Sequence, residues 1–496
     1  MDQINDKMPV ILIGNSFKYE IEATLKLFFN AERFSFSDDI SAASGSRYVI
    51  AKVDGKRISA EVMLGGKSDK AEKQLEATVE EDRDTAEHEL CRLIYHILSD
   101  RLGVRPPWGL MTGIRPVKKV IDCMREGLGK EEIFSRLTEK YEITPKKLQL
   151  AYDTAVNQMP ILDRIDSSAV SLYVSIPFCP TRCSYCSFVS HSMSSAVKLM
   201  PEYVDALCRE LAVIGNIVRE TGVKVDTIYF GGGTPTSISA GDLRTIMQAV
   251  SDNFDIASVR EYSVEAGRPD TITEDKLRVI KELGAQRISV NPQTLNNDVL
   301  RVIGRKHSGE DAIRAFEAAR KIGFTNINTD LIAGLPTESF ESFCHTLERM
   351  TELDPESITV HTLTIKRAAD LFENGVSDTG GIVGQMVDHS IKHLMSAGYL
   401  PYYMYRQKNT LDNLENVGYA KKGFESYYNI FIMDETQTIL GAGCAASTKL
   451  VYPGGKITRI HNYKFPYEYI KRFDQLMEKK SEVTECLKKI RSAPQK

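Results

Sequence analysis

Three cysteines stand within eight residues of this chain, in the stretch FCPTRCSYCSF, and their type and spacing could serve metal chemistry. Cys179, Cys183 and Cys186 follow a C-x₃-C-x₂-C pattern, and thiolates are soft ligands that suit zinc and iron–sulfur clusters. The same spacing would also place three thiols on one face of a helix, which is a purely structural arrangement. Pro177 and Pro180 flank the first cysteine and disfavour a continuous helix. The segment is therefore interpreted as a loop.

Two kinds of metal site fit this loop. His191 lies five residues beyond Cys186, so a Cys₃His zinc site is one alternative, although compact zinc sites more often use separated pairs of ligands. The other is a 4Fe–4S cluster, in which three thiolates hold three irons and the fourth iron has no protein ligand. That open iron could bind a substrate or a cofactor. The residues favour the cluster and leave the zinc site and the packed thiols as alternatives.

Other residues of chemical interest occur in or after apolar runs further along the chain. The GGGTPT segment begins at Gly231, and glycines let a backbone approach a ligand closely, although many such segments are only turns. Glu265 stands near the end of the run EYSVEA, where an isolated carboxylate is most often solvated. Asp330 lies inside the apolar run NINTDLIAG. A buried aspartate needs partners, which favours a ligand-facing role for Asp330.

Six strand-like runs, with helical patterns between them, must position these residues. Several of the runs are almost wholly apolar, as strands buried on both faces are, and their alternation with helices predicts a parallel sheet. The predicted fold class is α/β, with a partial (β/α)₆ TIM-like barrel. In such barrels functional residues gather at the C-terminal edge of the strands. The strand candidates are Leu172–Phe178, Val225–Phe230, Glu261–Ala266, Gln286–Asn291, Asn326–Gly334 and Glu356–Leu363.

The regions before and after the barrel have different patterns. Short strands and a long amphipathic helix around Asp82–Arg101 predict an N-terminal α/β domain with a helical connector over residues 1–165. The barrel is predicted over residues 166–400. A mixed α+β extension, with a hairpin around Ile430–Leu440, is predicted over residues 401–496.

Composition narrows the function classes. The chain has 496 residues and a net charge of -4, which gives no sign of a nucleic-acid or lipid-binding footprint. No apolar run is long enough to span a bilayer, and the stretch MDQINDKMPV has no signal pattern, so a cytoplasmic location is expected. Nine cysteines in this length are too few for a disulfide scaffold.

The C-x₃-C-x₂-C loop after a first strand resembles that of the radical S-adenosylmethionine (SAM) superfamily. The resemblance implies a 4Fe–4S cluster on the three cysteines, with SAM at the open iron, and reductive cleavage of SAM to a 5′-deoxyadenosyl radical. It places Tyr185 near the adenine, Glu265 at the ribose hydroxyls, Arg305 near the SAM carboxylate and the glycine segment at the SAM amino group. The full set of SAM-side residues that it implies is Tyr173, Tyr185, Gly231, Gly232, Gly233, Thr234, Glu265, Gln293, Arg305 and Asp330.

The order of motifs is similar to that of one group in this superfamily, the oxygen-independent coproporphyrinogen dehydrogenases and their heme-chaperone relatives. The motifs are YVSIPFC, GGGTPT, VEAGRPD, RISVNPQ, IGRKH and DLIAGLP, and RPPWGLMTGIRPVK with YRQKN most resembles the HemZ branch. The resemblance implies oxidative decarboxylation of coproporphyrinogen III propionates to vinyl groups, towards protoporphyrinogen IX. It also implies a low-potential electron donor such as flavodoxin or ferredoxin. Propionates need cationic partners, and Arg367, Arg406 and Lys408 are candidates by position.

One residue departs from the oxidase pattern. The oxidases have a fourth cysteine two residues after the third, where this chain has Phe188, and the chaperone branch resembles this chain in having phenylalanine there. A heme chaperone on the same fold and a radical SAM enzyme acting on another tetrapyrrole therefore stay as alternatives, since a fold does not fix a function.

Overall fold

The structure is a computed structural model that describes residues 7–29, 32–166, 168–186, 191–193, 197–364 and 381–492. Phe188 and Arg367 lie outside these residues. The chain divides into two compact units. The first comprises residues 1–116, 122–150 and 406–414, and the second comprises residues 117–121, 151–405 and 415–496. The predicted domain boundaries at 165 and 400 stay predictions.

The first unit contains a five-stranded sheet with the order β2-β1-β3-β4-β5. The predicted short strands are present, since the runs PVILIG, SRYVIAKV and RISAEVML fall on β1, β3 and β4. In β3 and β4 buried residues alternate with partly exposed ones, as in strands with one buried face. The fifth strand, KSDKAEKQ, is a charged edge strand, a composition that discourages pairing with other chains. The strands are β1 Met8–Ile13, β2 Phe34–Ser37, β3 Arg47–Asp54, β4 Arg57–Leu64 and β5 Lys67–Gln74.

Helices follow the strands of this sheet. The predicted long amphipathic helix is confirmed as α2, which Asp82 caps at its N-terminus and Gly103 ends in the left-handed conformation. Its buried residues, such as Leu90, Ile94 and Leu98, share a core with the sheet. The helices up to residue 162 are α1 Lys18–Leu25, α2 Arg83–Leu102, α3 Pro116–Arg125, α4 Lys130–Tyr141 and α5 Pro145–Leu162.

The second unit contains an eleven-stranded sheet, in which all six predicted strands are present and parallel to their sequence neighbours. The six strands are buried along most of their length, which explains their apolar runs. Two strands of two residues form a separate pair beside the first of them. The strands are β6 Ala169–Ile176, β7 Phe178–Cys179, β8 His191–Ser192, β9 Lys224–Gly232, β10 Glu261–Gly267, β11 Arg287–Val290, β12 Ile327–Ala333 and β13 Ser357–Thr362.

Helices connect these parallel strands. The predicted capping box at Ser308 and Asp311 is confirmed, and Gly323 ends the same helix with a φ of 99°, a conformation that glycine adopts without strain. The connecting helices are α6 Met200–Thr221, α7 Ala240–Asn253, α8 Glu274–Glu282, α9 Asn297–Val302, α10 Gly309–Ile322 and α11 Phe340–Glu352, and α12 Ile382–Ser396 follows the last parallel strand.

The C-terminal strands extend the same sheet at both of its edges. In the order β14-β15-β13-β12-β11-β10-β9-β6-β16-β17-β18, β15 runs antiparallel to β13 and β16 runs parallel to β6. These strands are β14 Leu400–Arg406, β15 Glu415–Ala420, β16 Thr438–Ala442, β17 Ser447–Val451 and β18 Ile457–His461. Among the described residues the two end strands are not neighbours in the sheet. The predicted α/β class is confirmed, and closure of the sheet into a barrel is not seen within these residues.

The predicted hairpin around Ile430–Leu440 is wrong. Residues up to Asp434 form helix α13 Tyr427–Asp434, which Ser426 caps, and the hairpin instead joins β16 to β17. A short apolar run such as YYNIFIM does not distinguish a strand from a buried helix by its pattern alone. The chain continues with α14 Pro466–Lys471 and α15 Phe473–Ser492. No helix among the described residues is long and apolar enough to cross a membrane.

A buried ion pair ties α15 into the second unit. Lys480 of α15 lies 3.0 Å from Glu210 of α6, and both side chains are within 1% of full burial. Glu210 also accepts hydrogen bonds from the Tyr469 hydroxyl at 2.6 Å, the Asn462 amide at 2.9 Å and the Gly443 backbone at 2.7 Å. The carboxylate therefore has a donor from four separate parts of the C-terminal region, which satisfies a charge that burial would otherwise penalise.

Candidate functional site

The predicted site residues of the second unit cluster where the parallel strands end. Cys179 ends β7, the two-residue strand just after β6, and the glycine segment begins at the end of β9. Glu265 lies two residues before the end of β10. Gln293 follows β11 and forms a bridge to Leu331 of β12. Because parallel strands end at the same edge of a sheet, these side chains share the edge at which barrel enzymes bind their ligands.

The cysteine loop is fastened by hydrogen bonds on two sides. The Cys186 backbone N–H donates to the Cys183 carbonyl at 3.0 Å and forms a tight turn. The Ser184 N–H donates to the Ile303 carbonyl at 3.1 Å, and the Thr181 hydroxyl donates to the Gly304 carbonyl at 3.0 Å. The loop is therefore held against the segment that contains Arg305.

The three thiols differ in exposure. Cys183 is buried, whereas Cys179 and Cys186 are partly exposed, and the Cys179 Sγ lies 3.5 Å from the Thr234 Oγ1. In the part of the chain that the structure describes, no three His, Cys, Asp or Glu side chains are grouped so that they could hold one metal ion. A 4Fe–4S cluster makes a different demand, because each cysteine binds a different iron. His191, the zinc ligand of the alternative reading, packs its ring against Phe465 with 5.7 Å between ring centroids.

The glycine segment clamps the start of the cysteine loop. The Gly233 N–H donates to the Ile176 carbonyl and the Thr234 N–H to the Phe178 carbonyl, both at 2.8 Å. A Cβ atom on Gly233 would lie 2.6 Å from the Phe178 carbonyl oxygen and 2.8 Å from its nitrogen. Glycine is therefore required here for the close approach of two backbones. The predicted contact of this segment with SAM stays a prediction.

Arg305 lies against Tyr185 of the cysteine loop, and the predicted contacts of both residues with SAM stay predictions. The Arg305 guanidinium donates to the Asn291 carbonyl at 2.6 Å and to the Tyr185 hydroxyl at 3.2 Å. Burial raises the pKa of Tyr185, so this hydroxyl keeps its proton. Within the described residues, neither Arg305 Nε nor Asn291 Oδ1 has a hydrogen-bond partner, although both are buried. Buried polar atoms are nearly always paired, so this pocket fits a polar ligand that accepts a hydrogen bond from Arg305 and donates one to Asn291.

Glu265 faces an aromatic stack. The Tyr229 hydroxyl donates to the Glu265 carboxylate, and the rings of Tyr229 and Tyr428 stack at 4.3 Å between centroids. Tyr173 is nearly parallel to both, with centroids 6.3 Å away. Burial, with a further contribution from the nearby Asp330 carboxylate, raises the pKa of Glu265 to about 7. This carboxyl can therefore gain or lose a proton near neutral pH.

Asp330 is partly exposed and has polar partners within the protein. The Asn328 amide donates to its Oδ1 at 2.7 Å, and His361 Nε2 lies 3.7 Å from its Oδ2. Burial alone would raise the pKa of Asp330, but hydrogen bonding and charge at His361 outweigh it and lower that pKa. The His361 Nδ1 in turn lies 3.4 Å from the Tyr405 hydroxyl. The predicted contact of Asp330 with SAM stays a prediction.

Arg268 was not predicted, although it contacts the cysteine loop. Its guanidinium is 3% exposed and donates to the Thr181 carbonyl at 3.0 Å and to the Cys183 Sγ at 3.8 Å. It also makes two bonds to Asp270, at 3.0 and 2.9 Å. The available signal was the pair of opposite charges two residues apart, directly after β10, in the motif VEAGRPD.

The predicted substrate contacts are not among these residues. Arg406 and Lys408 belong to the first unit. The Arg406 guanidinium donates to the Met111 carbonyl and, at 3.0 Å, to the Asn413 carbonyl, and it lies 5.5 Å from the centroid of Trp108. Lys408 donates to the Tyr19 hydroxyl at 2.7 Å. Their role towards a substrate stays a prediction, as does that of Arg367, which lies outside the described residues.

Comparison with known proteins shows a family match and similar proteins of known name. Residues 173–350 match the radical SAM superfamily. The chain is 42% identical over 397 residues to the oxygen-independent coproporphyrinogen-III oxidase-like protein HemZ of Bacillus subtilis, an alignment that covers 78% of each chain. It is 30% identical over 299 residues to the heme chaperone HemW of Escherichia coli, covering 60% of this chain and 74% of that one.

A solved structure has a similar fold. The coproporphyrinogen III oxidase HemN of Escherichia coli, described as a radical SAM enzyme, matches with a TM-score of 0.50. The match covers 65% of this chain and 73% of that chain, at 24% sequence identity. At this identity the likeness supports the α/β fold alone.

Proposed function

Because the chain belongs to the radical SAM superfamily, in the group that includes HemZ, HemW and HemN, we propose that it is an oxygen-independent coproporphyrinogen III dehydrogenase. Proteins of the superfamily use a 4Fe–4S cluster and SAM. We propose Cys179, Cys183 and Cys186 as the cluster ligands. When bound, the reduced cluster and SAM supply a 5′-deoxyadenosyl radical that abstracts hydrogen from an unactivated carbon.

One observation carries the proposal. A loop with three thiols lies at the C-terminal edge of a parallel sheet, beside a buried arginine and asparagine that have unpartnered polar atoms. The soft thiolates suit iron–sulfur ligation. The Arg305 guanidinium suits a carboxylate, which it can bind through charge-assisted hydrogen bonds, and SAM has such a carboxylate. The Glu265 carboxylate, when ionised, can accept hydrogen bonds from hydroxyl groups.

The proposed reaction removes one hydrogen atom, one electron and one carbon dioxide from each propionate. Hydrogen abstraction at the propionate β-carbon leaves a carbon radical. Loss of carbon dioxide and of one electron to an acceptor then gives the vinyl group, and two such rounds lead to protoporphyrinogen IX. The protein positions the carbon and excludes water. We propose a low-potential donor, such as flavodoxin or ferredoxin, as the source of the electron that initiates each round.

An anaerobic turnover assay tests the proposal. The cluster is reconstituted, SAM, a low-potential reductant and coproporphyrinogen III are added, and 5′-deoxyadenosine, carbon dioxide and vinyl products are measured. We expect turnover in the wild type, none in Cys183→Ala, and wild-type turnover in Cys208→Ala, which changes a cysteine of α6 instead. Deoxyadenosine without carbon dioxide would show that the substrate is different.

A second candidate is a heme chaperone, and Phe188 favours it because the oxidase pattern has a cysteine at that position. The similarity to HemW supports the same candidate. Stoichiometric and stable heme binding, with no consumption of SAM in the assay above, would favour the chaperone. Consumption of SAM with a different tetrapyrrole would instead favour the third candidate, another radical SAM reaction.

A further inference from the structure

Arg268 is buried between the cysteine loop and an acidic partner. The Nη1 of Arg268 donates to Thr181 twice, to the carbonyl at 3.0 Å and to the hydroxyl at 2.9 Å, and it lies 3.8 Å from the Cys183 Sγ. Its Nε and Nη2 bind the two carboxylate oxygens of Asp270. A guanidinium holds its donors in one plane, so these contacts fix the position of Thr181 relative to β10.

Asp270 is itself held from both sides. His307 Nδ1 lies 3.7 Å from Asp270 Oδ1, and the His307 side chain is fully buried. The nearby His307 ring and the hydrogen bonds from Arg268 outweigh the effect of burial and hold the pKa of Asp270 well below its usual range. Asp270 therefore remains a carboxylate, and it orients the guanidinium towards the loop.

We propose that Arg268 is a positioning residue for the iron–sulfur cluster, which holds the cysteine loop and raises the reduction potential of the cluster through its contact with Cys183. This inference rests on the proposed cluster site. One-electron reduction by a low-potential donor adds one negative charge beside Cys183. A buried cation that donates to a ligand sulfur stabilises that added charge, and hydrogen bonds to sulfur and local charge are known determinants of cluster potential.

The contact with the Cys183 sulfur distinguishes Arg268 from an arginine in an ordinary structural ion pair. Arg320 makes an equivalent two-bond pair with Glu356, at 2.9 and 2.8 Å. Glu356 directly precedes β13, so this second pair lies at the N-terminal edge of the sheet, away from the cysteine loop. Arg320→Gln is therefore a matched control, because it breaks the same kind of pair without removing a contact of a proposed cluster ligand.

Potentiometric titration, followed by electron paramagnetic resonance on the reconstituted full chain, tests the inference. In Arg268→Gln we expect a more negative midpoint potential, equivalent to an about tenfold lower ratio of reduced to oxidised cluster, or about 59 mV for a one-electron couple. Arg268→Lys retains the positive charge but not the planar arrangement of donors. Its midpoint potential should lie between those of Arg268→Gln and the wild type. Arg320→Gln should have the wild-type midpoint.

The possible outcomes are distinct. An Arg268→Gln variant with wild-type iron content and a wild-type midpoint would overturn the inference. If that variant takes up no iron, the Arg268→Lys variant decides: a shifted midpoint supports the inference, and a wild-type midpoint overturns it. A wild type that forms no 4Fe–4S cluster on reconstitution would instead overturn the proposed cluster site, and is recognised by its missing iron, sulfide and visible absorbance.

Discussion

Glu265 is the residue whose protonation should most affect ligand binding near neutral pH. Burial raises the pKa of its carboxyl from the ordinary value of 4.5 to about 7. The folded chain therefore keeps this proton at pH values where the unfolded chain has released it. As pH rises from about 4.5 to 7, this one group lowers the free energy of unfolding, because the unfolded state binds fewer protons.

We expect the affinity for SAM to increase with pH through this range. If only the ionised Glu265 accepts hydrogen bonds from the ribose, the apparent dissociation constant should fall about tenfold from pH 6 to pH 8. Equilibrium dialysis of the cluster-loaded protein with labelled SAM measures this change. The variant Glu265→Gln should show a flat profile over the same range. A wild-type profile as flat as that of the variant would contradict the assignment.

Candidate site residues could be predicted where a residue type is unusual in its sequence context and has no common structural role there. Three cysteines flanked by prolines, and an aspartate inside an apolar run, are unusual enough to indicate a site. Arg268 was missed because a charged residue directly after a strand is most often solvated. Tyr428 was missed because its contact with Tyr229 joins positions that are far apart in the sequence, and no local pattern records such a contact.

At the scale of the element, the close packing of the glycine segment against β7 is the most sensitive feature. We expect Gly233→Ala to displace the cysteine loop, because the new methyl group would meet backbone atoms of Phe178 at 2.6 and 2.8 Å. Backbone atoms cannot move as a flexible side chain can, so a destabilisation of about 1–3 kcal/mol is expected. Urea denaturation and iron content after reconstitution measure the two effects.

Gly241→Ala is the matched control for this prediction. Gly241 lies in the first turn of α7, where a Cβ atom would meet only the Ser239 Oγ at 3.7 Å, an ordinary contact distance. Alanine also has the higher helix propensity. We expect wild-type iron content and unchanged or slightly higher stability. If both alanine variants lose the same amount of stability and iron content, the close packing at Gly233 is not the cause of those losses.

Elements were predictable where burial imposes a pattern. The six parallel strands are buried on both faces, and they could be predicted because burial on both faces gives apolar runs in the sequence. The C-terminal strands were not assigned to the sheet, because pairing of β16 with β6 depends on residues such as Gln437 and Ser171, which are 266 positions apart. Strand β5 was not predicted because it is charged, and β2 was not predicted because it is short. Both are edge strands, which often have these features.

At the scale of the molecule, the Glu210–Lys480 pair links helices α6 and α15, which are far apart in the sequence. We expect Lys480→Met to lower the free energy of unfolding by about 3–5 kcal/mol, because the Glu210 carboxylate would stay buried without its counter-charge. Chemical denaturation monitored by circular dichroism measures this loss. Lys488→Met, which removes an exposed lysine of the same helix, should unfold as the wild type does. Similar unfolding of both variants would contradict the prediction.

The pairing of β16 with β6 also sets an order of events during biosynthesis. The cysteine loop directly follows β6, whereas the strand that covers the other edge of β6 is made more than 260 residues later. At ordinary translation rates this interval is on the order of tens of seconds. Throughout it, three thiols are outside the ribosome before the sheet beneath them is complete. We therefore expect the proposed cluster to be loaded after the C-terminal strands have joined, and the three thiols to be open to oxidation until then.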